Sequence, residues 1–582
     1  MQTWINLKDN KRDIPKWGVF ISILLFTVLT SYASFGMGFD FTDYTLHYHF
    51  ALRILDGDVP FIDFHSAVMP LSYYIEALVH YLFGLDYKIS LYLGLFFKFI
   101  DISFIYFIVN YFYKEKATSL IFTLFIVALF MGNTQSHFSF STFAITLSLI
   151  IIYLSIIART RVDYLFVGIF VGLSFLNKQN YGVLFSLSFV FYFFVLYIKK
   201  YFTFKEIVEK SIFFALGFFV VIFPFFIYFY TQGALSEIVY ILSTGGERKG
   251  LSSQTIVEIV DSIVPILTYK VFLAGVVASL LVAFLFLQRS KKVFLLAIVF
   301  LLSYIAFIQP FILFYNPVKP WYSAVELIFF DAVKILLFMA IVYSIFFAKN
   351  ISKELLFVFI GISTVIVTNE LGWAGRNYTT PVISSIFIVL LPYIILYYRG
   401  NKNFDFQVDI LKKSILIYLI FFTFLAIFFT KDIPRKEFNV NDKITLEPFL
   451  SNYNISKEHK KAILDIKSIY ESSCKNRSIF VFHWAPIFYD ILGVKNPTRF
   501  DLPNSDWLLF DESVELIGVI QNEHPCMLLV NEITFTEENT SPFPAKGMMN
   551  VKSFLRNDFL NFYNLVETVE IHGQNYQIYI EK

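Results

Sequence analysis

Residues 39–74 read FDFTDYTLHYHFALRILDGDVPFIDFHSAVMPLSYY, a stretch with five aspartates, three histidines and one arginine. Its surroundings are of another kind. Hydrophobic residues make up 57% of the chain, aromatics 20% and charged residues 16%, against roughly 25% charged in ordinary soluble domains. A charged island in so apolar a chain marks the place where water-borne chemistry meets a membrane.

Working outward, apolar runs of roughly 17 to 25 residues, enough to cross about 30 Å of hydrocarbon, recur from Trp17 to Thr430. About thirteen are predicted, near 17–35, 89–113, 118–132, 139–157, 162–176, 181–198, 211–231, 264–287, 293–314, 326–348, 353–369, 377–398 and 413–430. Those starting at 118, 162 and 353 are short, which leaves a count of eleven or twelve open. Lys and Arg resist translocation and so set orientation. They gather before the first span (Lys8, Lys11, Arg12, Lys16) and then at alternate connections: Lys114 and Lys116, Arg159 and Arg161, Lys199 to Lys210, Arg289 to Lys292, Lys349 and Lys353, Arg399 to Lys413. This alternation fits thirteen spans, a cytoplasmic N-terminus and an exported tail. The basic start and the small-residue SYAS resemble a signal sequence, but the spans that follow make it an uncleaved anchor.

The expected fold class is a polytopic all-α membrane domain over 1–430 followed by a small extracytoplasmic α/β domain over 431–582. Two loops of the membrane domain are long, the first at 36–87 and the second at 232–263. Within the first, YTLHYHFALRIL and PLSYYIEALVHYLFG have helical apolar periodicity and read as amphipathic helices lying along the outer membrane face. In the tail, helices at 456–473, 512–522 and 552–563 alternate with strands SIFVFHW and CMLLVNE, and a hairpin of LVETVEI and NYQIYIE follows, with HGQ as its turn. Such alternation predicts a partly parallel sheet. Cys474 and Cys526 both lie in the tail, where a disulfide could form, but two cysteines are too few for a framework. No G-x-G-x-x-G or P-loop is present. The net charge of +2 gives no reason to expect a nucleic-acid partner.

Asp40, Asp43 and His47 stand at i, i+3 and i+7, on one face if the segment is helical. A carboxylate at the water edge of an apolar cavity suits a general base. Asp40 or Asp43 equally fits as the cap of a helix starting near Tyr44. His47, His49, His65, His80 and His137 form no tight cluster with zinc-site spacing. Lys98 with Asp101, and Asp331 with Lys334, are i, i+3 pairs inside spans and read as self-neutralising structural pairs.

Asp43, Arg53, Gly57, Pro60, Asp63 and Pro70-Leu71 together resemble the first-loop signature of the GT-C superfamily of membrane glycosyltransferases. Its bacterial members, similar to protein O-mannosyltransferases and aminoarabinose transferases, show an acidic residue after the first span and then A-x-x-[IL]-x-x-G-x-x-P-[YF]-x-D-F. Ala51, Ile54, Gly57, Pro60, Phe61, Asp63 and Phe64 match it. GLSFLNKQNYG at 172–182 resembles the G-L-x-x-x-x-K-Q-x-x-G segment of the same group. Many relatives carry Asp-Glu where this chain has Asp43-Tyr44, which puts any second carboxylate in question. The motifs cover about fifty residues, while the architecture resembles the superfamily over the whole chain.

The resemblance implies transfer of a sugar from a polyprenyl-phosphate donor, usually with inversion, to a glycolipid, cell-wall polymer or protein outside a bacterial cytoplasmic membrane. Asp43 would be the general base, with Asp40 and Asp63 as further candidate acids. Cations on the outer side would stabilise the departing phosphate: Lys178, Arg248, Lys249, Lys319 and Arg376. GGERKG around Arg248 also reads as a solvated turn, and Lys319 and Arg376 as side chains snorkelling to headgroups among the membrane lipids. Some relatives use a divalent cation; Asp43 and His47 would then be its ligands.

Three rival readings differ in class. An O-antigen polymerase or ligase usually places its long loop late and builds it on arginines, whereas here the main loop follows the first span and is acidic. A lipid-linked-sugar flippase or transporter commonly shows an internal repeat, and none is visible. A scaffold that binds a partner through its tail is the third.

Overall fold

The computed structural model describes residues 14–35, 41, 43–127, 137–248, 352–373, 442–482, 485–503, 508–532, 546–571 and 574–582, with isolated positions at 337, 341, 386 and 390. The described chain is mostly helical, with a small sheet near its end. Four described helices are long and apolar enough to cross a membrane: Lys88–Tyr113, Phe140–Ile157, Gln179–Ile198 and Phe204–Thr231. Most predicted spans beyond residue 250 lie outside the described residues, as does the pair Asp331 and Lys334.

Helix α1 (Lys16–Phe35) leads into the first loop, which contains α2 (Asp43–Leu55) and α3 (Leu71–Phe83). Then follow α4 (Lys88–Tyr113), α5 (Lys116–Ile126), α6 (Phe140–Ile157), α7 (Arg161–Asn177), α8 (Gln179–Ile198), α9 (Phe204–Thr231), α10 (Leu235–Arg248) and α11 (Lys353–Trp373). Local chemistry starts several of them. Ser139, Thr160 and Thr203 each accept the amide three residues on, and Thr142, Asp163 and Glu206 return the bond. These reciprocal caps satisfy amides a helix start would otherwise leave orphaned.

The spans pack around one apolar core that includes Ile105, Val109, Ile152, Val171, Phe189 and Phe357. At the crossing of α7 and α9 the backbones touch: a Cβ on Gly168 would stand 2.0 Å from the Phe214 carbonyl oxygen, and one on Gly217 2.0 Å from that of Leu165. Only glycine permits so close an approach, a device common between membrane helices. Outward, α9 exposes Ile212, Leu216, Phe219, Val220, Phe223 and Ile227, a face that suits lipid. The basic connections gather at one end of the helices. There Arg159 pairs with Glu354 at 2.9 Å and with the Tyr111 hydroxyl at 2.7 Å, while Lys210 donates to the Arg159 carbonyl at 3.3 Å.

Lys98 and Asp101 depart from the self-neutralising pair expected of them. Both are buried, yet no ion pair joins them within 4.0 Å, and Lys98 Nζ and Asp101 Oδ1 have no hydrogen-bond partner among the described residues.

At the opposite end, α2 corrects a second expectation. It does not lie on the membrane face: every residue from Thr45 to Leu52 is buried. Leu46, Tyr48, Phe50 and Leu52 alternate around the helix rather than forming a single stripe, so apolar side chains point to both sides of it. Tyr48 and Leu52 pack with Phe488 and Ile463 of the tail, and Leu46 and Phe50 with Tyr73 and Leu502. Helix α3 does expose an apolar face, Leu78, Tyr81, Leu82 and Phe83. Its inner face carries Glu76, which shares a 2.5 Å bond with Ser90, and His80, which bonds Ser90 and the Gly84 carbonyl at 2.9 Å each. Burial pushes the Glu76 carboxyl up to about 8, so a protonated Glu76 completes this chain of bonds and ties α3 to α4.

The described part of the tail opens on a hairpin that sequence patterning missed, β1 (Asp442–Leu446) against β2 (Leu450–Ile455). Next come α12 (Lys457–Ser473), β3 (Ile479–Phe482), α13 (Ile487–Leu492), α14 (Phe510–Glu523), β4 (Met527–Asn531), α15 (Lys546–Phe554), β5 (Tyr563–Ile571) and β6 (Gln574–Glu581). The sheet order is β3-β4-β6-β5, with β3 and β4 parallel and the other pairs antiparallel. Every residue of β3 and β4 is buried, as strands covered on both faces must be. Alternate residues serve different cores, Val481 and Leu529 under α12, Phe480 and Leu528 under α14 and α15. The helix expected at 552–563 starts earlier, then loosens into a π-turn at Leu555–Phe559 and a tight turn at Leu560–Phe562. A disulfide joins Cys474, just past α12, to Cys526, just before β4.

Candidate functional site

Helix α2 opens at Asp43, so the backbone puts this residue in the first turn, with His47 one turn on. Asp40, Lys249, Lys319 and Arg376 lie outside the described residues, and Arg248 is described only as the last residue of α10.

The first-loop motif has a local explanation. Gly57, at φ +95°, ends α2 in a conformation that only glycine adopts without strain. The chain then folds back through Pro60 and Phe61, whose own φ is +76°. Asp63 is exposed; its carboxylate accepts the Val59 amide at 2.6 Å and its carbonyl accepts Arg53 at 2.6 Å. Phe64 stacks on Phe50 with centroids 4.7 Å apart, and the Arg53 guanidinium lies 5.2 Å above its ring. Asp63 therefore braces the turn.

The second motif arrives from the other side. Gln179 receives the Met69 amide at 3.3 Å and donates to the Ala67 carbonyl at 3.1 Å, pinning the loop ahead of α3. Lys178, at the break between α7 and α8, is buried, its ammonium 5.2 Å from the Phe140 ring centroid and 5.5 Å from that of Tyr181. Asn177 donates to the Phe140 carbonyl at 2.8 Å. His47 meets the same phenylalanine: the ring centroids are 4.8 Å apart, and Nε2 faces the Phe140 amide at 3.5 Å. Burial pushes His47 down to about 3, so its imidazole is neutral. With Nε2 as acceptor, the proton sits on Nδ1, which has no hydrogen-bond partner among the described residues.

Around the rest of α2 runs a buried ionic seam that sequence reasoning did not find. His49 bonds Asp490 through Nδ1 at 2.7 Å and faces Asp501 through Nε2 at 3.4 Å. Arg53 holds Asp501 at 2.5 Å and Asp58 at 2.8 Å. Asn496 donates to Asp501 at 2.8 Å, and Lys495 reaches Asp58 at 3.2 Å. Burial works to raise Asp501, but Arg53 and His49 outweigh it and hold the carboxyl down at about 2. Burial works to lower His49, and Asp490 and Asp501 overcome it, pushing the imidazole up to about 9. At neutral pH His49 and Asp501 are thus both charged, while burial holds the Asp490 carboxyl above its ordinary range. Its partners lie more than 400 residues apart in the chain, and the visible signal was only the charged, proline-broken run DILGVKNPTRFD at 490–501.

No group of three His, Cys, Asp or Glu side chains able to hold a metal occurs among the described residues. His47 offers at most one imidazole, short of the three or four ligands a zinc site needs.

No family model matches the chain, and no curated protein does. Two solved structures of the oligosaccharyltransferase of the archaeon Archaeoglobus fulgidus are similar to it. One, tethered to an acceptor peptide containing the NVT sequon, is 11% identical, with 97% of this chain and 74% of that chain covered and a TM-score of 0.49. The other, in complex with an inhibitory peptide and a dolichol-phosphate, is 10% identical over the same shares, with a TM-score of 0.48. Likeness at this level is too loose to assign a fold family or an activity.

Proposed function

We propose that the protein is a GT-C-type glycosyltransferase that moves a sugar from a polyprenyl-phosphate donor to an acceptor on the outer side of a bacterial cytoplasmic membrane. The observation that supports this reading most is the meeting of the two motif stretches. They are more than a hundred residues apart in sequence, yet Gln179 binds the loop beyond α2, and Lys178 and His47 flank one ring, Phe140. A base on α2 and a cation at the start of α8 are what a displacement needs on its two sides: one takes a proton, the other steadies a leaving anion.

In this mechanism the acceptor hydroxyl or amide gives its proton to Asp43 as its heteroatom bonds the anomeric carbon. The bond from that carbon to the phosphate oxygen breaks, and its electron pair leaves with the polyprenyl phosphate. Lys178, joined by Arg248, Lys249 and Arg376, offsets the charge on that phosphate.

Mass spectrometry of envelope glycans and polyprenyl-linked intermediates, with and without the gene, tests the reading. One glycan should disappear while its polyprenyl-phosphate sugar accumulates on the outer side. An unchanged glycan profile sinks the proposal, and accumulation on the cytoplasmic side favours a flippase.

A further inference from the structure

The segment 490–501 of the tail reaches in two directions at once. Toward α2 it sends Asp490 and Asp501, which hold His49 and Arg53, and Lys495, which holds Asp58. Away from α2 it sends Arg499. That guanidinium makes two parallel bonds to Glu515 on α14, both 2.8 Å, and a further nitrogen donates to Glu237 on α10 at 3.0 Å and to the Phe61 carbonyl at 3.1 Å. The Arg499 carbonyl in turn accepts the His65 amide at 2.6 Å. Phe500 faces the His65 ring at 5.4 Å, and Leu502 enters the apolar cluster of Leu46, Phe50, Phe64 and Tyr73. One short stretch therefore binds α2, the turn after it, α10 and α14.

The two helices it spans are the ones that matter to the proposed reaction, since α2 begins at Asp43 and α10 ends at Arg248. A planar fork with five donors can satisfy Glu515, Glu237 and a carbonyl together; a lysine ammonium, a point charge with three donors, lacks that fixed geometry. We infer that segment 490–501 is a wedge that sets the spacing between α2 and α10, with Asp501 the positioning residue for the helix of the base and Arg499 the positioning residue for the helix of the phosphate-binding cations. The wedge rests on the reading of Asp43 and Arg248 for its catalytic half; its structural half stands on the contacts alone.

The test uses the full-length protein in lipid nanodiscs, comparing wild type with Arg499→Lys, Arg499→Gln and Asp501→Asn by amide hydrogen exchange. Transfer is measured per folded molecule with a farnesyl-phosphoryl form of the sugar that gene-deleted cells lose, and membranes of those cells as acceptor. Both Arg499 variants should speed exchange in α10 at least tenfold while leaving α4 and α6 unchanged, and Asp501→Asn should do the same in α2. Each should lower kcat at least tenfold with donor KM within twofold. Unchanged exchange in α10 in both Arg499 variants overturns the wedge, as does faster exchange with wild-type kcat. Should Asp501→Asn fail to fold, the surface-reaching Arg499→Lys carries the decision. Asp43→Asn separates the two readings: it should abolish transfer with α2 and α10 still protected, and wild-type transfer by that variant overturns the catalytic half while the exchange data decide the rest.

Discussion

Two charged clusters sit at opposite ends of the helices, each built on an arginine and a carboxylate and differing in their contact with water. At the basic end, Arg159 is 49% exposed and its partner Glu354 15%. At the opposite end, Arg53 is 13% exposed and Asp501 not at all. An exposed pair gains little, because water and salt screen it. A buried one has lost its hydration, and each partner then depends on the other. The first cluster can therefore mark an end of the bundle, whereas the second commits α2 to one position against the tail.

The largest effect expected from this contrast belongs to Asp501→Asn. It leaves Arg53 and His49 buried with a weakened partner and should cost about 3–5 kcal/mol, read as a loss in thermal or denaturant unfolding in detergent. The paired change Arg53→Met with Asp501→Leu should cost less than Asp501→Asn alone, since no uncompensated charge remains; a larger loss would mean the seam is held by something other than its charges. Next in size is the pH response. His49, raised from its ordinary 6.5 to about 9, contributes stability that is complete below 6.5 and is lost as pH rises through 9. Asp501, lowered from 3.8 to about 2, contributes stability that is complete above 3.8 and is lost as pH falls through 2. Protection of α2 in hydrogen exchange, corrected for the intrinsic rate, should thus be greatest between about pH 4 and 6.5 and fall on both sides. His49→Gln should remove the alkaline fall. The smallest effect is at the other end, where Arg159→Gln should change stability by no more than about 1 kcal/mol; a loss as large as that of Asp501→Asn would erase the distinction between the ends.

Periodicity showed most of what is local and little of what is distant. Helices α4, α6, α7 and α8 begin and end within about two residues of their apolar runs, because caps such as Thr160 and breaks such as Lys178 are written next to them. The β3 and β4 strands announced themselves as short apolar runs. The burial of α2 was misjudged because its histidines and Arg53 look like a wet face, and only their partners in the tail make that face dry. Nothing local identifies Asp490, Asp501, Glu237 or Arg499 as those partners. The motif residues were legible as a pattern, but several of them, Gly57, Asp63 and Phe64, are explained by the turn they build. Gln179 belongs with them, since both ends of its amide are occupied by backbone.

In the proposed mechanism, the residue this scaffold would hold in place is Asp43, at the start of α2. Purified full-length protein carrying Asp43→Asn, assayed for release of polyprenyl phosphate beside wild type, tests the account most directly. A positioned general base contributes about 100- to 10,000-fold, so the variant should lose at least that lower factor in kcat while its unfolding curve and the exchange protection of α2 match wild type. Transfer at the wild-type rate by a folded Asp43→Asn protein would contradict the account.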